Sequence, residues 1–247
     1  MADLEKRHLA ELTFPEVSRA LRALSSTYVE RRNKIGDGAA LSGAGKRAAF
    51  ALFYAPLHFL LVQRIASELP RATDESDIVV DLGCGTGAAG AALGTTRVIG
   101  VDRNVWALGE ASRTYRAFGL ASKTHRADAA SFALPKARMS VVAAFTMNEL
   151  PDASRDALLA RLLDRARVNG DSILVVEPIA RGAARWWDKW RAAFEAAGGR
   201  ADEWRFAPDL PPIVEKLDRA AGLNHSELTG RSLWLASTSG ASSAASS

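Results

Sequence analysis

Short apolar segments alternate with helical patterns from residue 78 onward. Several of these segments are continuous apolar runs without polar alternation, which is typical of strands buried on both faces of a parallel sheet. Helical patterns separate them, at about residues 88–93, 105–118 and 152–168. The alternation predicts a doubly wound α/β sheet. The strand candidates are DIVVDLG (77–83), RVIGVD (97–102), SKTHRAD (122–128), MSVVAAFTMN (139–148) and DSILVVEP (171–178).

The part of the chain before this sheet is predicted to be helical. One helix is expected at about residues 15–32 and a second at about 46–69, kinked near Pro56. A glycine-rich loop at 33–45 lies between them. We therefore divide the chain into a helical N-terminal region (1–70), a main domain (77–237) and a tail (238–247).

The C-terminal part of the main domain shows two further helical patterns, at about 182–197 and 212–221. The stretch HSELTGRSLWLAS (225–237) then predicts a hairpin of two strands around Thr229 and Gly230. The tail is rich in Ser, Gly and Ala, a composition that predicts disorder.

Composition narrows the functional classes. The chain has 247 residues, a formal net charge of +4 and one cysteine, Cys84. A single cysteine excludes an intrachain disulfide and a cysteine-based metal cage, and the histidines lack metal-ligand spacing, so we expect no metal site. The N-terminus lacks the apolar core of a signal peptide, and no apolar run reaches the roughly 18 residues of a membrane span. We expect a cytoplasmic protein that does not bind membranes.

The stretch VVDLGCGTGAAG (79–90) places four glycines directly after a predicted strand. A Walker phosphate loop is excluded because no Lys-Ser or Lys-Thr pair follows. Residues 85–90 match the dinucleotide pattern G-x-G-x-x-G, with an acid, Asp102, 17 residues after Gly85. Asp81 favours another ligand, because a carboxylate there would repel a pyrophosphate and attract a cation. S-adenosylmethionine (SAM) is such a ligand, since it carries a sulfonium and no phosphate.

VVDLGCGTG resembles motif I of the class I SAM-dependent methyltransferases, in which hydrophobic residues precede D/E-x-G-x-G-x-G. The resemblance implies a Rossmann-like, seven-stranded, mostly parallel sheet, SAM as cofactor and S-adenosylhomocysteine as product. Asp102 resembles the acid that holds the ribose hydroxyls, and Asp128 the acid that approaches the adenine amino group. The cofactor-binding residues implied are Asp81, Gly83, Cys84, Gly85, Gly87, Asp102, Arg103, Asp128, Ala129 and Thr146.

Two segments are similar to a narrower branch, the small-subunit ribosome-associated methyltransferase-like family. These are LSSTYVERR with the helix after it, and the region from VVAAFTMNELP to VVEP. That family carries a cysteine cluster, which this chain lacks. The similarity therefore indicates at most a divergent relative.

The acceptor side has several candidates. Asn148 and Glu149 follow the fourth strand, where the superfamily places catalytic residues; the alternative is that they only make turn hydrogen bonds. Tyr54 and His58 share a helix face, which faces either the cofactor or acceptor pocket or the core. Trp187 lies on a helix where aromatic and basic residues interleave. That helix is either a lid over a small acceptor, a stacking surface for RNA bases, or an ordinary amphipathic helix.

The sequence therefore predicts SAM-dependent methyl transfer to an acceptor that is either a small molecule or ribosomal RNA. A SAM-binding ribosome-assembly factor without catalysis is the alternative, and an NAD-dependent oxidoreductase a distant one. The oligomeric state stays open.

Overall fold

The computed structural model describes residues 1–30, 41–69, 78–179 and 185–237. The chain forms two compact units. One combines Met1–Leu61 with Arg205–Leu228, and the other combines Val62–Trp204 with the chain from Thr229 onward. Each unit therefore contains segments that are far apart in the sequence.

A seven-stranded sheet has the order β3-β2-β1-β4-β5-β7-β6. Pairs β1/β2, β1/β4, β2/β3 and β4/β5 are parallel, and β5/β7 is antiparallel. The predicted Rossmann-like, mostly parallel sheet is confirmed. The strands are β1 (Ile78–Leu82), β2 (Arg97–Asp102), β3 (Ala121–Arg126), β4 (Met139–Ala144), β5 (Ser172–Glu177), β6 (Arg200–Phe206) and β7 (Leu228–Leu235).

The strand order reverses between β1 and β4. From β1 the chain adds β2 and β3 on one side, and then continues with β4 and β5 on the other. The parallel register aligns the carboxyl ends of these strands, with Leu82 opposite Val101 and Ala144 opposite Val176. Ligands of open α/β sheets bind outside the carboxyl ends at such a reversal. The two halves of this edge are called the β1 side (β3, β2, β1) and the β4 side (β4, β5, β7).

Helices connect β1 to β2, β2 to β3 and β4 to β5, as the hydrophobic pattern predicted. The apolar strand β4 is buried along its whole length. It contributes Val141 to a core that also contains Val80 of β1 and Ile173 of β5. The helices are α5 (Ala88–Ala92), α6 (Val105–Ala117), α7 (Asp152–Asn169) and α8 (Arg185–Ala196), with a 3₁₀ turn at Met147–Glu149.

The unit that begins at Met1 is built from helices. They are α1 (Ala2–His8), α2 (Phe14–Glu30), α3 (Ala44–Ala49), a π-helical turn (Phe50–Tyr54), α4 (Ala55–Glu68, which starts in this unit) and α9 (Pro212–Ala221). The sequence placed an irregularity at Pro56. The structure places it in the π-helical turn, which ends two residues before Pro56, and the chain stays helical through Pro56. The helix α1 was not predicted.

The predicted C-terminal hairpin is wrong. Thr229 and Gly230 lie inside one continuous strand, β7, which pairs antiparallel with β5. The other strand at this end of the sheet, β6, was not predicted. It lies at the outer position of the sheet and is only partly buried. Its sequence is therefore rich in charged residues and lacks the apolar run that predicts a strand.

Several predicted segments lie outside the described residues. They include most of the glycine-rich loop at 33–45 and the tail at 238–247. The helical stretch Ala44–Glu68 is long and apolar enough to cross a membrane by length and composition alone. However, 61% of its apolar window is buried inside the protein, as in a core helix.

Candidate functional site

The glycine loop after β1 alternates packed and open positions. Gly83, Gly85 and Gly87 all have positive φ, at 70°, 51° and 82°. A Cβ at Gly83 would lie 2.3 Å from Thr146 Oγ1, and one at Gly87 would lie 2.9 Å from the Tyr115 ring. A Cβ at Gly85 would meet nothing within 4 Å. The loop is therefore fixed by packing on either side of Gly85 and open at Gly85 itself.

Thr146 joins this loop to the end of β4. Its hydroxyl lies 3.1 Å from the Leu82 carbonyl oxygen and 3.0 Å from that of Ala144. The preceding residue, Phe145, has φ of 58°, a conformation that is strained for a bulky side chain. Its backbone N–H donates to the Val176 carbonyl at 2.8 Å, which ties the strained residue to β5.

Asp81 is 1% exposed and lies beneath the loop. Its Oδ2 accepts hydrogen bonds from Gly90 N at 2.8 Å and from the Tyr115 hydroxyl at 3.0 Å. Its Oδ1 is buried and has no hydrogen-bond partner among the described residues. Burial raises the pKa of Asp81 to about 7, against the opposing effect of these two donors. A buried acceptor with a free lone pair is thus present at the base of the loop.

Tyr115 is a site residue that sequence analysis missed. It is fully buried on α6 and reaches Asp81 from 34 positions further along the chain. A Cβ at Gly100 of β2 would lie 3.0 Å from its hydroxyl oxygen. The phenol therefore needs glycine both in the loop and in β2, but only the loop glycines form a recognisable motif.

Asp102 ends β2 and connects two backbone segments. One carboxylate oxygen accepts from Gly85 N at 2.9 Å and the other from Asn104 N at 2.7 Å. Asn104, not Asp102, caps α6, by accepting from Trp106 N and Ala107 N. The cap is therefore a separate residue, and Asp102 stays partly accessible beside Gly85, with lone pairs left for a ligand.

Asp128 follows β3 and is more exposed. Its Oδ1 accepts from Ala130 N at 2.8 Å, and Arg103 approaches its Oδ2 at 3.5 Å. Ala129 beside it is buried. The structure thus brings Asp128 and Arg103 together at the end of β3, adjacent to β2.

Cys84 lies inside the loop and is 5% exposed. Burial raises the pKa of its thiol well above the usual range, and the nearby Asp81 and Asp102 add to this effect. Such a thiol is protonated at neutral pH and is not a nucleophile.

The β4 side carries a second polar cluster. The Asn148 side chain donates from Nδ2 to Glu177 Oε2, and its Oδ1 accepts from the Trp186 indole N–H at 3.0 Å. Glu177 Oε1 accepts from Met147 N at 2.7 Å. Glu149, the other predicted catalytic residue, is exposed. Asn148 is therefore held by neighbours in the protein, whereas Glu149 faces solvent.

Glu177 was not identified from the sequence as a site residue. It is 0% exposed, and burial raises its pKa to about 7, while the hydrogen bonds it accepts and the charge of Arg231 lower that pKa. Its only sequence signal is an acid at the end of a wholly apolar strand, which gives no information about partners 29 and 30 positions away.

The remaining predicted acceptor residues lie in different places. Tyr54 and His58 lie in the unit that begins at Met1, with ring centroids 6.2 Å apart. Part of the His58 side chain reaches the surface, yet desolvation lowers the pKa of its imidazole to about 3, so it is neutral. Trp187 is 7% exposed beneath the Arg231 guanidinium, whose central carbon lies 3.9 Å from the ring centroid.

The residues on the β1 side fit SAM. Gly85 leaves open space beside a backbone loop, Asp102 offers carboxylate lone pairs there, and Asp81 provides a buried oxygen that accepts no hydrogen bond from the described part of the chain. A carboxylate suits a cationic ligand and opposes a pyrophosphate, so the same set fits a dinucleotide poorly.

Comparison with known proteins gives the same assignment. Residues 79–170 match the family model described as a methyltransferase domain. No curated protein matches the sequence. The fold is similar to that of magnesium protoporphyrin IX methyltransferase from Synechocystis PCC 6803, solved with bound SAM. The TM-score is 0.51 and the identity 14%, over 92% of this chain and 99% of that one.

Two further structures match with lower scores. A SAM-dependent methyltransferase from Leishmania major has a TM-score of 0.48 and 14% identity, over 89% of this chain and 82% of that one. The YcgJ protein from Bacillus subtilis has a TM-score of 0.46 and 16% identity, over 72% and 95%. Motif I, the strand order and the matched model agree that residues 79–170 form a methyltransferase domain on a Rossmann-like sheet.

Proposed function

We propose that the protein transfers the methyl group of SAM to a small-molecule acceptor rather than to RNA. The observation that carries this choice is the orientation of α8. Three of its four aromatic residues, Trp187, Trp190 and Phe194, are 7%, 0% and 0% exposed, and the fourth, Trp186, is partly buried and donates its indole N–H to Asn148. Base stacking needs exposed aromatic faces, so this helix does not offer an RNA platform.

The cations of α8 support the same choice. Lys189 lies 2.7 Å from Asp156, and Arg191 lies 3.4 Å from Asp188. Phosphate contacts require cations that can exchange counterions for phosphates. Of the α8 cations whose side chains the structure describes, both already have carboxylate neighbours.

Methyl transfer from SAM requires mainly that the protein align the acceptor with the methyl group. When bound, SAM supplies an electrophilic methyl group on its sulfonium. The β1 side holds the cofactor through Gly85 and Asp102, and the β4 side must orient the acceptor in line and exclude water. Asn148 is the polar side chain there with a fixed orientation and partial exposure. We assign it to acceptor positioning, with Glu149 at the solvent rim.

These features do not support the two alternative functions that the sequence left open, a non-catalytic assembly factor and an NAD-dependent oxidoreductase. An intact cofactor side beside a structured β4 side does not favour a non-catalytic assembly factor. Asp81 disfavours a nicotinamide cofactor. Relationship to the ribosome-associated family stays a prediction.

The test is product labelling. Purified protein is incubated with tritiated SAM and either a small-metabolite extract or ribosomal RNA from the same cells. We expect label in the small-molecule fraction and none in the RNA. The Asp102→Ala variant, which loses the carboxylate beside Gly85, is the cofactor-binding control and should label the acceptor about tenfold less or lower when SAM is kept below its dissociation constant.

Label that appears in RNA, and stays in RNA after proteinase treatment and gel separation, would overturn the small-molecule assignment. The same sample with the extract digested by ribonuclease shows whether a short RNA contaminates the small-molecule fraction. Absence of label from both fractions, despite SAM binding by calorimetry, would count against methyl transfer to either class.

A further inference from the structure

The cluster on the β4 side has no counterpart in the binding motif. Glu177, Asn148, Trp186, Arg155 and Arg231 come from β5, the 3₁₀ turn, α8, α7 and β7. All five lie in the same compact unit. The cluster therefore joins five elements at the edge of the sheet where the acceptor must be held.

A continuous chain of hydrogen bonds runs through it. Met147 N and Asn148 Nδ2 donate to the two carboxylate oxygens of Glu177, and the Trp186 indole donates to Asn148. Each hydrogen bond fixes the next, because the Glu177 carboxylate sets which end of the Asn148 amide points toward β5. The other end of that amide is its oxygen, Oδ1, which needs an N–H donor. The Trp186 indole provides that donor.

Two guanidinium groups flank the indole at the end of this chain. The central carbon of Arg155 lies 5.1 Å from the Trp186 ring centroid and that of Arg231 lies 5.9 Å from it. Arg155 also donates to the Met147 carbonyl at 2.8 Å. Cations over an indole face are attracted to it. Trp186 is the second residue of α8. Its indole is held by the N–H that donates to Asn148 and by the ring contacts with the two guanidinium groups.

The cluster costs stability. Burying a carboxylate is expensive, and a well-packed apolar residue at the same place is often neutral or stabilising. A carboxylate at Glu177 is therefore a poor choice for stability alone, and perturbed buried acids concentrate at functional sites. Its contacts instead determine the position of Met147, Asn148 and Trp186.

We propose that Glu177 is a positioning residue for methyl transfer: through Asn148 it fixes the turn after β4 and Trp186 at the start of α8, where the acceptor is aligned. The inference rests on methyl transfer at this edge of the sheet and not on the chemical class of the acceptor. Glu177 does not touch the reacting atoms, since its carboxylate is fully buried and engaged by Met147 and Asn148.

The charged groups around Glu177 define what a pH titration reports. Arg231 pairs with Glu177 in the β5/β7 register, Glu149 lies near it on the 3₁₀ turn, and Arg155 contacts the carbonyl of Met147 from α7. Protonation of Glu177 removes the charge of the carboxylate and converts one of its two accepting oxygens into a hydroxyl, which weakens the hydrogen bond from the Asn148 amide and should loosen Trp186. The fluorescence of the Trp186 indole should therefore report the protonation state of Glu177.

The experiment compares tryptophan fluorescence against pH in the whole protein and its variants. Wild type should show a transition near pH 7. Trp186→Phe should remove the part of this transition that comes from Trp186, and Glu177→Gln should remove that same part, while any part that comes from Asp81 stays in both variants. Glu195→Gln, which neutralises an exposed carboxylate on α8, is the matched control and should keep the whole transition. The double variant Asn148→Asp with Glu177→Gln exchanges donor and acceptor, so the hydrogen bond can form again.

Methyl transfer separates positioning from simple packing. Glu177→Gln should bind SAM as wild type does by calorimetry, yet lose about tenfold or more in turnover with the acceptor identified by labelling. The double variant should recover most of that loss.

If the part of the transition that Trp186→Phe removes persists in Glu177→Gln, or if Glu177→Gln keeps full turnover, the proposal is overturned. So would a double variant that folds like wild type but recovers no turnover. Fluorescence and SAM affinity need no acceptor, so a wrong acceptor class leaves this test intact.

Discussion

Asp81 and Glu177 are similar buried acids, but different kinds of hydrogen-bond donors hold them. Each is a fully buried carboxylate near the end of a central strand, and burial raises the pKa of each to about 7. Asp81, on the β1 side, is held by a backbone N–H of its own loop and by the Tyr115 phenol. Glu177, on the β4 side, is held by the turn after β4 and by the Asn148 amide.

The difference explains what each side can do. The shape of a loop held by backbone donors and glycine conformations depends little on neighbouring side chains, which suits an invariant cofactor. A cluster built from side chains on five elements can change with each substitution, which suits an acceptor that differs between enzymes. The following predictions test that contrast.

Gly83→Ala should have the largest effect. The new Cβ would lie 2.3 Å from Thr146 Oγ1 at a φ of 70°. Left-handed strain and overpacking together should lower the free energy of unfolding by about 2–5 kcal/mol, measured by urea denaturation.

Gly94→Ala is the matched control. Its φ is 68°, but its Cβ would meet nothing within 4 Å. It should cost only the conformational part, about 1–2 kcal/mol. Equal losses in both variants would show that Thr146 does not constrain the loop.

Asp102→Ala should weaken SAM binding by about tenfold or more. Hydrogen bonds to charged groups contribute about 1.5–3 kcal/mol each. The unliganded protein should also lose some stability, because Asp102 accepts from Gly85 N and Asn104 N. Calorimetric titration with SAM and a denaturation curve measure the two effects separately. Unchanged SAM affinity would reduce Asp102 to a loop-stabilising residue.

The pH dependence of stability should reveal the Asp81 carboxylate. Its pKa is raised from 3.8 to about 7 on folding, so the folded state holds this proton more tightly than the unfolded state. Stability from this group is therefore present at low pH and is lost as pH rises toward 7, then stays level.

We expect wild type to lose about 2 kcal/mol more than Asp81→Asn between pH 5.5 and 7.5. The comparison with the asparagine variant cancels the other titrating groups. Parallel stability profiles for the two proteins would contradict the assignment.

Lys189→Ala should have the smallest effect. The Lys189–Asp156 pair is at the surface, with half-exposed side chains, and such pairs contribute about 0–1 kcal/mol. SAM binding and turnover should not change, and neither should depend strongly on salt. A steep loss of acceptor binding with salt that this variant relieves would restore the RNA hypothesis for α8.

The two sides also differ in how far sequence could predict them. The β1 side was predictable because its chemistry lies in one short stretch with fixed spacing and two acids at strand ends. Tyr115 was not predicted as a site residue because its contact with Asp81 spans 34 positions. On the β4 side, Asn148 and Glu149 were found by position after β4, but Glu177 and Trp186 were not, because only the folded structure pairs them with Asn148.

Secondary structure shows the same limit. Apolar continuity predicted the central strands, whereas β6 was missed because it lies at the outer position of the sheet and is rich in charge. Strand β7 was split into a hairpin because Thr229-Gly230 has turn composition, and its pairing with β5 overrode that local preference.

The single cysteine has a practical consequence for labelling. Cys84 is buried in the glycine loop, and its thiol is protonated at neutral pH, so maleimides should react with it only slowly. A fluorophore can therefore be attached selectively at a cysteine introduced on a solvent-facing position of α8, such as Glu195, without a cysteine-free background. Removing Cys84 first would instead alter the packing of the glycine loop, where its side chain is buried.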